Sequence, residues 1–193
     1  MLIIGQPKAA STSLKTTLEK ITGIAAEQRR WKCNKKILKE FLTLSKFHHD
    51  MGEFKKETLE AYAISRKRFF KQHILPTENN LKILKEIDAP VVVLLRDPKA
   101  AQGSYQRAVN KRIWRNTDKE AFQQDINLFY KRYKGLKKNP KFLIITFDDL
   151  VLNTKKTIHK VLKHFKIKFD PTQNIKLTKE KYTGVGLRQL RKK

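Results

Sequence analysis

Apolar residues recur along this chain in two rhythms. Residues 2–4 (L-I-I), 91–95 (V-V-V-L-L) and 142–147 (F-L-I-I-T-F) are short apolar runs, the last two rich in β-branched side chains. Runs of this kind predict strands covered by helices on both faces of a parallel sheet. The other rhythm is helical. Leu14, Leu18 and Ile21 share one face of a helix behind the first run, and Ile37, Leu38, Phe41 and Leu44 predict a helix over 34–47. Asp50, Met51 and Gly52 read as a break, followed by a helix over 54–71 that ends before Pro76. Leu81, Ile83, Leu84 and Ile87 mark a helix closing at Asp88, Ala89 and Pro90. Helices near 98–112 and 118–134 separate the second and third runs, and Ile158, Val161, Leu162 and Phe165 mark one more. Strands alternating with helices predict a three-layer α/β/α arrangement around a central parallel sheet. Ligands bind such sheets beyond the carboxyl ends of the strands, which places the loops after Ile4, Leu95 and Phe147 along one edge. With 193 residues and no internal repeat, a single domain over 1–193 is expected.

Charge changes this picture. Forty-four Lys and Arg against 18 Asp and Glu give a formal net charge of +26. That bias points to an anionic partner: a nucleic acid, a membrane surface, an acidic polymer or a phosphorylated ligand. The basic residues are spread through most segments, with local clusters at 137–141 and 191–193. A single cysteine, Cys33, excludes an intrachain disulfide and a cysteine-built metal site. It suggests a reducing, cytoplasmic compartment. No stretch has the length of a membrane-spanning helix, and the run at 2–4 is too short for a signal peptide.

The chemistry concentrates in the first loop. After the 2–4 run come Gly5, Pro7, Lys8, Ala9 and Ala10, then the hydroxyls Ser11, Thr12 and Ser13 at the start of a helix. A strand turning through small residues into a helix N-terminus is a ready anion site, because the first helical N–H groups lack intrahelical acceptors and the helix dipole favours negative charge there. The loop resembles a rebuilt Walker A motif, G-x-x-x-x-G-K-[ST], so the fold expected is P-loop NTPase-like. Gly5 and Thr12 keep their places, but Ala10 replaces the second glycine and Ser11 the lysine, which has moved forward to Lys8. Ordinary ATP or GTP hydrolysis is disfavoured by that displacement. Read without a ligand, the same residues are a buried strand, a Pro-containing turn and a capped helix.

Three landmarks in order carry a family resemblance. The loop P-K-A-A-S-T at 7–12 is similar to the phosphosulfate-binding loop of sulfotransferases that use 3′-phosphoadenosine 5′-phosphosulfate (PAPS). The segment L-R-D-P-K-A-A-Q-G-S-Y-Q-R-A at 95–108 resembles that family's second signature, in which an arginine at a strand end and a serine eight positions later bind the 3′-phosphate; Arg96 and Ser104 have that separation. The segment F-L-I-I-T-F-D-D-L at 142–150 resembles its third, a strand ending in a Tyr-Glu-Asp-Leu-like corner. Apart from the family, a guanidinium leaving a strand at the ligand edge can grip a phosphate bidentately. The plain alternative is an Arg96–Asp97 surface pair with Ser104 facing solvent.

The resemblance implies sulfuryl transfer from PAPS to an acceptor hydroxyl. Lys8 would face the leaving oxygen. The N–H groups of residues 9–13 and the hydroxyls of Ser11 and Thr12 would hold the 5′-phosphosulfate. Lys8, Arg96 and the helix dipole neutralise much of the charge, so no metal is called for. Cytosolic members place a Lys-x-His pair some distance before their arginine, with the histidine as base. By resemblance His73 becomes the general base and Lys71 a helper on the sulfuryl oxygens; histidine titrates in the range this work needs. Otherwise His73 would be a helix-end residue. His48, His49, Glu53 and Glu57 stand in reserve, and His159 and His164 read as surface or packing residues. The segment K-Y-T-G-V-G-L-R at 181–188 resembles the basic, glycine-containing loop over the 3′-phosphate, which nominates Lys181, Gly184 and Arg188. Ser13 stands where many cytosolic members carry an adenine-stacking tryptophan. The acceptor is a small molecule or an anionic glycan. Two other readings compete: a basic nucleic-acid-binding protein using Trp31 and Trp114, weakened by the dispersal of its lysines, and a P-loop kinase, weakened by the displaced lysine.

Overall fold

The computed structural model describes residues 1–24, 41–44, 51–110 and 118–178. Its centre is a six-stranded sheet in the order β2-β3-β4-β1-β5-β6. The strands are β1 (Leu2–Gly5), β2 (Phe41–Leu44), β3 (Met51–Phe54), β4 (Phe70–Ile74), β5 (Val91–Leu95) and β6 (Phe142–Thr146). All adjacent pairs are parallel except β2 with β3. The helices are α1 (Ser11–Thr22), α2 (Lys56–Ile64), α3 (Glu78–Glu86), α4 (Pro98–Asn110), α5 (Lys119–Lys134), α6 (Phe147–Leu152) and α7 (Thr154–His164).

Alternation along the strands builds the three layers. Leu2, Ile4, Val91, Val93 and Leu95 pack with Leu59 and Ala63 of α2, Leu81 and Leu84 of α3, and Phe129 and Tyr133 of α5. Their neighbours Ile3, Val92 and Leu94 face the other way, onto Leu14 and Leu18 of α1, Leu150 of α6 and Ile158, Val161 and Leu162 of α7. With both faces covered, a continuously apolar strand is the stable solution, since each fully buried aliphatic side chain contributes about 1.5–3 kcal/mol. Among the described residues no helix is long and apolar enough to cross a membrane.

The predicted α/β/α layering is observed, as are β1, β5, β6 and the helices after each of them. The region from 34 to 74 departs from expectation. Phe41–Leu44 is a strand within the predicted 34–47 helix, whose remaining residues lie outside the described set. The supposed break at Met51 and Gly52 opens β3, paired in register with β4 through Met51↔His73 and Gly52↔Ile74. The predicted 54–71 helix is only α2, and β4 follows it. These departures share one cause. The periodicity of four or five residues does not separate strand from helix, and pairing in the sheet decides. In β4 the pattern is further masked because Lys71, Gln72 and His73 are polar.

Candidate active site

Gly5 ends β1 because nothing larger fits. A Cβ there would lie 2.4 Å from Ser11 Cβ and 2.5 Å from its hydroxyl, so the start of α1 sits directly on the strand end. The chain reaches that position through a turn held by the Ala9 N–H donating to Gln6 O at 3.1 Å. Lys8 (φ 67°) and Ala10 (φ 65°) are both left-handed. Each non-glycine residue in that region costs roughly 1–2 kcal/mol. Such cost is tolerated where surrounding structure fixes the backbone, and functional loops are the usual place for it.

The N-cap of α1 is Ala10, which has no side chain able to cap. The N–H groups of Ser11, Thr12 and Ser13 therefore open onto the end of the sheet without an intrahelical acceptor. Thr12 is exposed, whereas Ser11 and Ser13 are buried. The Ser13 hydroxyl has no hydrogen-bond partner among the described residues, and neither does Gln6 Nε2.

Arg96 joins β5 to this turn. Its N–H donates to Gln6 Oε1 at 2.9 Å, and its Nη1 donates to Lys8 O at 2.9 Å. The guanidinium carbon lies 4.0 Å from the centre of the Phe147 ring at the start of α6. One face of the guanidinium is thus stacked and one nitrogen spent on the loop. Its Nε is buried and finds no acceptor among the described residues. Burial, and after it the like charge of Arg107, hold Arg96 below the usual guanidinium range, against Asp148 and Asp97. Arg107 is on α4, one turn beyond Gly103. Ser104, the next residue on the helix, is half-buried. An anion placed between two guanidinium groups would relieve their repulsion.

Lys71 and His73 meet the loop from β4. Lys71 is in register with Ile3, so both side chains lie on the face that α1 covers. His73 Nδ1 hydrogen-bonds to Gly5 O, and Lys71 Nζ is 3.2 Å from His73 Nε2. A carbonyl accepts only, so Nδ1 must carry the proton. The lone pair is then on Nε2, directed toward the ammonium.

The structure therefore gathers Pro7 to Ser13, Lys71, His73 and Arg96 at the carboxyl ends of β1, β4 and β5. Ser104 lies on the helix leaving Arg96. Lys181, Gly184 and Arg188 fall outside the described residues, as do His48, His49, Trp31 and Trp114. The last described residue, Thr178, donates its N–H to Thr17 Oγ1 in the middle of α1 at 2.9 Å. His159 packs on Phe169, and His164 bonds to the carbonyls of Val91 and Lys141, as packing residues do. Among the described residues no group of His, Cys, Asp or Glu is gathered that would hold a metal ion. Sequence reasoning passed over Gln6, Phe147 and Arg107. Gln6 is fully buried beside Pro7 and carries the only polar side chain between Gly5 and Lys8, a signal of internal hydrogen bonding.

The sulfotransferase domain family matches residues 1–183. No curated protein matches at the sequence level. Among solved structures, a sulfotransferase from Alicyclobacillus acidocaldarius is similar, with a TM-score of 0.56 at 13% identity over 98% of this chain and 88% of that one. Mouse sulfotransferase SULT7A1, complexed with PAP, gives 0.57 at 15% identity over 88% of this chain and 59% of that one. The sulfotransferase domain from the curacin biosynthetic pathway gives 0.54 at 14% identity over 94% and 80%. At such identities the likeness is one of fold.

Proposed function

The chain belongs to the sulfotransferase domain family, and from that premise we propose that it transfers a sulfuryl group from PAPS to an acceptor hydroxyl, acting as a single domain over 1–193 in the reducing cytoplasm. The observation that carries the reading is the junction of Arg96 with the Lys8 turn, through Nη1 to Lys8 O at 2.9 Å. It joins one site for the 5′-phosphosulfate and one for the 3′-phosphate into a single clamp.

The donor groups present suit this nucleotide. The uncapped N–H groups of α1 and the Thr12 hydroxyl bind the 5′ end. Arg96, whose Nε lacks an acceptor among the described residues, binds the 3′-phosphate with Ser104, and Arg107 adds a second positive charge. Lys181, Gly184 and Arg188 are assigned to the same phosphate. When bound, PAPS supplies an activated sulfuryl group on a phosphate leaving group.

The residues of the chain do the rest. His73 takes the acceptor proton on Nε2, the nitrogen left unprotonated by its bond to Gly5 O, once Lys71 turns from it to the sulfuryl oxygens. The acceptor oxygen then forms its bond to sulfur as the sulfur–oxygen bond to the phosphate breaks. Lys8 offsets the charge that collects on the departing phosphate oxygen, and Lys71 that on the sulfuryl oxygens. Preorganised charge of this kind is the largest single contribution in related group transfers. The acceptor is assigned only as a hydroxyl compound, a small molecule or an anionic glycan.

Isothermal titration with 3′-phosphoadenosine 5′-phosphate tests the clamp without the acceptor. Submicromolar to micromolar binding by the wild-type chain, lost in the Lys8→Ala/Arg96→Ala variant, is the expected result. Affinity unchanged in that variant would overturn the reading.

A further inference from the structure

The site accounts for few of the cations. A separate basic surface forms at the opposite edge of the sheet, where β4, β5 and β6 begin. Arg66, Lys67 and Arg68 lie in the turn before β4, Lys137 and Lys138 in the segment before β6, and Lys163 and Lys166 at the end of α7; all seven are exposed. Hydrogen bonds bring the three segments together. Arg66 Nη1 donates to Phe165 O at 2.9 Å, and His164 Nε2 is 3.0 Å from Lys141 O and 3.2 Å from Val91 O. None of the seven takes part in an ion pair among the described residues. Glu86, at the end of α3, is engaged by Lys56 at 3.7 Å.

Among the described residues, one exposed large apolar side chain stands at this cationic surface. Ile64, the last residue of α2, is 59% exposed directly before Ser65 and Arg66. Like charges held together without counter-ions are destabilising by themselves and call for an anionic partner. We propose that this edge docks on the anionic headgroup surface of a lipid bilayer, with Ile64 entering the interface. Two features favour a bilayer over a polyanionic chain. The exposed large apolar residue at this edge is aliphatic, which suits acyl chains, whereas single-stranded nucleic acids are held by aromatic stacking. The edge is also opposite the carboxyl ends of the strands, so docking leaves the site facing solvent, whereas an anionic polymer undergoing reaction would have to lie at the other edge. Clusters of four to eight Lys and Arg are of the size that anionic lipid surfaces recognise, and each cation near such a surface contributes about fivefold to partitioning.

Cosedimentation with vesicles of phosphatidylcholine, with and without phosphatidylserine, tests the proposal. The wild-type chain should sediment with the mixed vesicles only, and less so as salt is raised. The Lys67→Glu/Arg68→Glu/Lys138→Glu variant should bind at least about a hundredfold more weakly. A control with the same charge change, Lys119→Glu/Lys155→Glu/Lys156→Glu, sits at the starts of α5 and α7 and should stay within about threefold of wild type. Ile64→Gln should weaken vesicle binding severalfold while leaving binding to a short DNA duplex unchanged. Lys163→Glu/Lys166→Glu repeats the test on a separate segment should the first variant fail to fold. Absence of phosphatidylserine-dependent sedimentation by the wild type overturns the proposal. So does equal loss in the edge and control variants, or an edge that binds DNA and not vesicles.

Discussion

Three strands pass into helices along the same edge of the sheet, and their junctions end differently. After β6, Thr146 and Asp149 form a reciprocal cap: the Asp149 N–H donates to Thr146 Oγ1 at 3.1 Å, and the Thr146 hydroxyl donates to the Asp149 carboxylate at 2.8 Å. After β5, Asp97 accepts from the Ala100 N–H at 2.9 Å, and the helix opens on Pro98, which has no N–H to satisfy. After β1 the cap is an alanine in a left-handed conformation. Two junctions satisfy their own backbone, and one leaves it open. Good N-caps contribute about 1 kcal/mol each, so α1 forgoes stability that its neighbours take. The same α1 is crowded onto Gly5 and carries Lys8 on a strained turn. The proposed nucleotide site thus falls where local optimisation has been withheld.

Breaking the open junction should have the largest effects. Lys8→Ala keeps the turn's left-handed backbone and removes the ammonium. Turnover in a sulfuryl-transfer assay should fall about 10³-fold, the upper range for loss of one preorganised charge partner, with thermal stability unchanged. His73→Ala acts from the adjacent strand. Its expected cost is about 10²-fold in kcat, with loss of the ascending limb of the rate–pH profile. A variant that retained that limb would remove His73 from the role of base. Gly5→Ala attacks the junction by packing. Its new methyl meets Ser11 at 2.4 Å, so unfolding free energy should drop by about 1–3 kcal/mol, read by chemical denaturation. Binding of 3′-phosphoadenosine 5′-phosphate should weaken with it, because α1 has to move.

How much of this was legible in the sequence follows the same division. The closed, apolar parts announce themselves: β1, β5, β6 and α7 follow from Leu2 to Ile4, Val91 to Leu95, Phe142 to Ile145 and the Ile158–Val161–Leu162–Phe165 stripe. The Lys8 turn and Arg96 were legible because their residue types and order are unusual. What failed was β4, whose Lys71, Gln72 and His73 break the apolar run that marks a central strand. Lys71 and His73 are the residues proposed to act at the site, and local pattern and global fold disagree most often at such positions. Gln6, Phe147 and Arg107 were missed for another reason. Gln6 and Phe147 meet Arg96 across long sequence separations, Arg107 acts on it only as a like charge, and spacing along the chain carries no sign of these roles.

The closed junction gives the matching control. Thr146→Ala removes one half of the cap on α6 and should cost about 1 kcal/mol, or roughly 2–4 °C in Tm for a chain of this size. Nucleotide affinity should stay within about threefold, since no group of the proposed clamp is touched. A tenfold loss would show that α6, through Phe147 under the Arg96 guanidinium, is coupled to the clamp as tightly as α1 is.

The smallest effect is the sharpest test of whether α1 was left unoptimised. Ala10→Gly removes a left-handed strain of roughly 1–2 kcal/mol and adds unfolded-chain entropy of about 0.4–1 kcal/mol, for a net gain of about 0.8 kcal/mol. Neither the backbone N–H groups nor Lys8 is altered, so affinity for 3′-phosphoadenosine 5′-phosphate should hold. Lys8→Gly should give the same gain in stability together with the loss of turnover expected of Lys8→Ala. If both glycine variants were less stable than the parent, the turn would be relaxed as it stands, and the contrast between α1 and its capped neighbours would lose its energetic basis.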